Sequence, residues 1–105
     1  MQTSVRHVKR LELSVAADAD LFDILAYGTA IHGEAASDAY FGGLCDAFET
    51  ICATEMIGQV DDSTDRGLRR WRYRRHRIFY RIDPDSILIV RVLHVAADAV
   101  RHLQD

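Results

Sequence analysis

Between Leu21 and Cys52 apolar residues recur every three or four positions, and between Leu68 and Ile82 they recur every two. A change of period from helical to extended, in that chain order, limits the fold more than any other feature of the sequence. Ahead of it, the alternation in "VRHVKRLELS" predicts a first strand over about Arg6 to Ser14, with Leu11 and Leu13 on one face. "AADADLFDILAYGTAIHG" then reads as a helix. Leu21, Ile24, Leu25 and Ile31 form its stripe, Tyr27 lies near the edge, Asp18 and Asp20 fall in the first turn, and Gly33 is the stop. A second helix is expected from about Ala35 to Thr54, built on Phe41, Leu44, Phe48, Ile51 and Cys52. Gly42 and Gly43 interrupt it, at about 1 kcal/mol each relative to alanine, so a close approach or a kink is expected there. The short junction "HGEA" makes the two helices antiparallel neighbours.

"GQVDDSTDRG" is polar and reads as a loop. Beyond it "LRRWRYR" alternates, with Trp71 and Tyr73 on one face and arginines on the other. In "HRIFYRID", Ile78, Tyr80 and Ile82 oppose Arg77, Phe79 and Arg81. "DPDS" is a turn, and "ILIVRVLH" is nearly continuous in apolar residues, as a central strand covered on both faces would be. "AADAVRHLQD" closes the chain as a short helix. The expected fold class is α+β in one domain over residues 1–105. It has an N-terminal strand, an antiparallel helical hairpin, a three-stranded antiparallel meander and a short C-terminal helix, with the hairpin on one face of the sheet.

A chain of 105 residues, 49% apolar, can bury a core of its own. No apolar run approaches the roughly 20 residues of a spanning helix, and no signal-type apolar segment follows the basic start, so a cytoplasmic protein is expected. Cys45 and Cys52 are two helical turns apart, about 10 Å, too far for a disulfide, and read as buried free thiols. The five histidines are scattered, and no metal or cofactor is expected.

The charge is unevenly distributed. The formal net charge is −3, yet "GLRRWRYRRHRIFYRI" holds seven arginines, Lys9 is the only lysine, and no lysine or arginine lies between Asp18 and Asp65. Arginine suits planar, bidentate recognition of carboxylate or phosphate. A partly solvated hairpin edge explains several of these residues; seven with no lysine suggest a surface that meets an anionic partner.

The pieces "DLFDILAY", "GLR", "IFYRI" and "IVRVLHVAAD", in this order and spacing, resemble the ParE toxins of the ParE/RelE superfamily, over about Ala17 to Leu103. The resemblance implies the toxin of a type II toxin–antitoxin pair, hetero-oligomeric with a cognate, ParD-like antitoxin whose C-terminal part folds onto it. It further implies DNA gyrase as the target, and so inhibition of replication. RelE relatives instead cut messenger RNA on the ribosome. That chemistry needs a group to take the 2′-hydroxyl proton, cations for the phosphorane charge and an acid for the leaving oxygen.

Arg77 matches a strand arginine of the RelE set. Where RelE-like chains carry a base just after the position of His94 and an aromatic residue further on, this chain has Val95, Ala96 and Ala97 and no later tyrosine. No catalytic residue is therefore assigned. Arg70, Arg72, Arg74, Arg77, Arg81, Arg91 and His94 are the candidate partner- or target-binding residues. His94 reads first as a backbone-bonded residue at the sheet end, Asp98 as the start of the last helix, and Trp71, Tyr73 and Tyr80 as packing. Arg91, in an apolar strand, needs a partner or an exposed face. Three functions remain: a gyrase-binding toxin, a ribosome-dependent endoribonuclease, and a non-toxic binding module with the toxin fold. Direct nucleic-acid binding is left open.

Overall fold

The computed structural model describes residues 8–104. The elements run β1 (Arg10–Leu13), α1 (Val15–His32), α2 (Glu34–Ala53), a 3-10 turn (Glu55–Ile57), β2 (Gln59–Asp61), β3 (Leu68–Tyr73), β4 (His76–Ile82), β5 (Ser86–His94) and α3 (Ala99–Leu103). The α+β order matches the sequence reading. The start expected at Arg6 lies outside the described residues.

The sheet order is β1-β5-β4-β3-β2, antiparallel except that β1 pairs parallel with β5. Gln59–Asp61, which the sequence reading places in a loop, form an edge strand against β3. The antiparallel part is thus extended by one short strand.

Ser14 makes the β1–α1 junction. Its hydroxyl caps α1 by accepting from the Ala17 N–H at 2.9 Å and donates to the Val90 carbonyl at 2.7 Å. Gly33, at φ 89°, ends α1 and begins α2 in a conformation that most side chains avoid, which allows a one-residue turn between antiparallel helices. Asp18 does lie in the first turn of α1, but Asp20 is beyond it and has a different role.

One face of the sheet packs on the helical hairpin, through Leu21, Leu44, Phe48 and Ile51 against Ile78, Tyr80, Ile87 and Ile89. The other face is a smaller core in which Leu103 of α3 sits on Leu68, Phe79, Val90 and Leu93. β5 is therefore covered on both sides, as its composition predicts. A β-bulge shifts its alternation: Phe79 pairs with Arg91 but Tyr80 with Ile89, so Val90 is the extra residue. The α1 stripe is shorter than expected, since Tyr27 and Ile31 are exposed. α2 runs through Gly42 and Gly43 without a break, and Gly43 is where it approaches β3, beneath the ring of Tyr73. Tyr80 is buried, and its hydroxyl donates to the Glu55 carbonyl at 2.6 Å and accepts from the Gly58 N–H at 2.9 Å. Burial pushes its phenol up, the Gly58 N–H and Arg69 pull the other way, and Glu55 adds to the rise. No helix of the described residues is long and apolar enough to cross a membrane.

Candidate functional site

Alternation on β3 sends Leu68, Arg70 and Arg72 to the α3 side and Arg69, Trp71 and Tyr73 toward the helical hairpin. Arg69 thus departs from the expected arginine face, and its guanidinium donates to the Gly58 carbonyl at 2.6 Å. On β4, Arg77, Phe79 and Arg81 face the α3 side. The register sets Arg72 opposite Arg77 and Arg70 opposite Phe79. Arg70, Arg72 and Arg77 consequently share a cleft of ≈ 600 Å³ with Trp71, Phe79 and the acidic residues Asp61 and Asp62.

The three arginines of the cleft are not equivalent. Arg70 donates to Asp61 at 3.1 Å and to the Val60 carbonyl at 3.3 Å. The Asp61 side chain is only 3% exposed, and the Ser63 hydroxyl lies 2.9 Å from both its oxygens. Arg70 therefore neutralises a buried carboxylate and fastens β2 to β3. Arg72 donates from Nε to the Arg74 carbonyl at 2.6 Å, bracing the β3–β4 turn. The Arg77 side chain makes no hydrogen bond or ion pair among the described residues, so its guanidinium is available to a ligand.

The remaining candidates lie elsewhere. Arg74 occupies the hairpin turn at φ 49°, with its guanidinium carbon 5.6 Å from the Tyr73 ring centroid. Arg81 is four residues along β4 from Arg77, about 13 Å, and forms a two-pronged pair with Asp83 at 2.9 and 3.1 Å. That pair holds the Asp83 carboxyl below its usual range and raises Arg81. Arg91 meets both oxygens of Asp20 at 2.8 Å and donates to the His102 carbonyl at 3.2 Å, so the partner its position calls for comes from α1. His94 ends β5 exposed, and its Nδ1 accepts from the Ala96 N–H at 3.0 Å, the backbone-bonded role expected of it. Asp98 precedes α3 at the N-cap position without a side-chain capping bond.

A polar cluster that the sequence reading missed anchors the arginine hairpin. The Tyr40 hydroxyl of α2 lies 2.7 Å from Nδ1 of His76, 3.2 Å from the Arg75 N–H that it accepts, and 3.4 Å from the Tyr73 carbonyl. The His76 ring packs edge-on against His94, with centroids 5.5 Å apart. Burial, then the neighbouring His94 and Arg75, lower the His76 pKa to about 4, against a smaller opposing effect of Asp20. The only sequence signal of this cluster was a tyrosine and a histidine beside apolar stripes, which does not specify that they meet. Cys45 and Cys52 are free thiols, Cys52 buried as expected but Cys45 only partly so, and burial is the main cause that pushes both up.

The described elements thus set a helical hairpin on one side of a mostly antiparallel sheet and an arginine-lined cleft on the other. The chain belongs to the ParE toxin family: the model of the "ParE toxin of type II toxin-antitoxin system, parDE" matches residues 11–99. Among solved structures, a chain of the chromosomal ParDE toxin–antitoxin system from P. aeruginosa superposes with a TM-score of 0.71 at 20% identity. That match covers 85% of this chain and 98% of the other. No curated protein matches the sequence.

Proposed function

We propose that this ParE-type toxin binds DNA gyrase and so blocks replication, and that a cognate ParD-like antitoxin neutralises it by laying an acidic segment over the arginine cleft. The observation that carries the reading is the uncommitted guanidinium of Arg77, directly opposite Arg72 in the cleft on the α3 side of the sheet. Two facing cations suit a carboxylate-bearing protein segment. Arg70, Arg72, Arg74 and Arg77 are the residues assigned to this surface, and the toxin would act in the cytoplasm, where gyrase works.

Catalysis of RNA cleavage would require a proton acceptor and a proton donor around one phosphate. The acids that line the cleft with Arg77 are Asp61, already engaged by Arg70 and Ser63, and Asp62. Arg91 is engaged by Asp20. These placements support a binding face over a ribonuclease. The test is a supercoiling assay with purified toxin and gyrase, run beside a purified translation assay. Inhibition of supercoiling, relieved by antitoxin, is expected. Cleavage of messenger RNA in the ribosomal A site with gyrase unaffected overturns the proposal in favour of the ribonuclease, and loss of neither activity leaves a non-toxic binding module.

A further inference from the structure

A surface helix ordinarily turns charged and polar side chains to water. α1 does so only in part. Its inner side carries Ala17 and Leu21, with Ile24 packed beside them. On the opposite side, at spacings of four, three and four, lie Val15, Ala19, Phe22 and Ala26. At 100° per residue they fall within an arc of about 60°. Val15 is 91% exposed and Phe22 is 71% exposed. Asp18 and Asp23 border this stripe on its two sides, both exposed and neither in an ion pair among the described residues. α1 and α2 together carry seven carboxylates and neither lysine nor arginine, so the helical hairpin supplies no cation of its own to answer them.

We infer that the outer face of α1 is a docking surface for a basic amphipathic helix of a partner protein. The apolar side of that helix lies along Val15–Ala26, and its lysines or arginines meet Asp18 and Asp23. Ala19 and Ala26 allow the two backbones to approach closely, and Phe22 is the large side chain that such a contact would bury. Charge complementarity selects the occupant. Two-fold pairing of α1 with α1 of a second copy would bring Asp18 and Asp23 of both copies onto one seam, and like charges there oppose association. An acidic segment, as expected at the arginine cleft on the other side of the sheet, is repelled for the same reason. The inference concerns a second surface and does not depend on gyrase being the target.

The experiment uses two labelled synthetic helices as long as α1, with the same leucine stripe, one bearing lysines on its polar face and the other glutamates. Fluorescence anisotropy with the full chain is read at low and at high salt. The lysine helix is expected to bind and the glutamate helix not to bind. Phe22→Ser, at an exposed site that the fold does not need, should weaken binding roughly tenfold or more. Asp18→Asn combined with Asp23→Asn should weaken it and flatten its salt dependence. Equal binding of both helices, or lysine-helix binding indifferent to Phe22→Ser, overturns the inference. So does a chain that sediments as a dimer and is returned to monomer by Phe22→Ser.

Discussion

Asp20 holds Arg91 with two bonds of 2.8 Å, and one of the same carboxylate oxygens accepts the Val92 N–H at 2.9 Å. One side chain of α1 thus neutralises the only cation of β5 and satisfies a backbone donor next to the bulge, where the edge is no longer covered by β1. The Arg91 and Asp20 side chains are 20% and 13% exposed, so removing either partner leaves a largely desolvated charge. Arg91→Ala is expected to destabilise the fold by about 2 kcal/mol, and Asp20→Asn by a similar amount. Denaturant midpoints check this. An Arg91→Ala protein with an unchanged midpoint that no longer inhibits growth would reassign Arg91 to a contact surface.

Arg72 and Arg77 oppose each other across β3 and β4, and neither forms an ion pair among the described residues. Like charges in that relation cost about 0.2–1 kcal/mol. Arg77→Leu should therefore keep or slightly raise the unfolding midpoint while reducing growth inhibition and antitoxin affinity. Loss of stability with affinity intact would make Arg77 a packing residue.

Charge reversal of the hairpin should spare Arg70, because Asp61 is buried beneath it. Changing Arg72, Arg74 and Arg77 together to Glu is expected to weaken antitoxin binding and lower its salt dependence. Unchanged affinity and salt slope in a folded variant would leave the hairpin a solvated edge.

His76 gives the fold a pH dependence of definite sign. Its folded pKa of about 4 lies below the ordinary 6.5, so the folded state holds it neutral while the unfolded state protonates it. The stability this contributes is present above pH 6.5 and is lost as the pH falls toward 4. His76→Gln, which cannot be protonated, should flatten the fall in urea midpoint over that interval. An equally steep fall in the variant would move the effect to the carboxylates.

The period switch carried most of the fold, because β3 and β4 turn Trp71, Tyr73, Ile78 and Tyr80 to the helical hairpin at every second position. β2 was not legible: three residues, Gln59, Val60 and Asp61, offer no alternation to read, and they are held by pairing with β3 and by the Arg70–Asp61 bond. The parallel pairing of β1 was hidden for a similar reason, since nothing in a four-residue strand states its direction. α1 misled at Ile31 and Tyr27 because it is apolar nearly all round. The arginines of the candidate site could be named from sequence. Which of them meet could not, because the Arg72–Arg77 register and the 71-residue separation of Asp20 and Arg91 are products of the fold.

Gly42 and Gly43 are neighbours in α2 whose substitutions should have opposite signs. A Cβ on Gly42 meets nothing within 4 Å, so Gly42→Ala should stabilise by about 1 kcal/mol through helix propensity alone. A Cβ on Gly43 would run into the hydroxyl and ring of Tyr73. That ring is wedged edge-on against Tyr40, 5.2 Å between centroids, and Tyr40 in turn holds the β3–β4 turn. It can yield only by disturbing the anchor of the arginine hairpin. Gly43→Ala should therefore destabilise by about 1–3 kcal/mol despite the same gain in propensity. Tyr73→Phe, which removes the hydroxyl but not the ring, should relieve part of that loss when combined with Gly43→Ala. Unfolding midpoints of the two alanine variants, the tyrosine variant and the double variant form the cycle. Additive effects of Gly43→Ala and Tyr73→Phe, or stabilisation by both alanines alike, would show that the close approach of α2 to β3 does not constrain position 43.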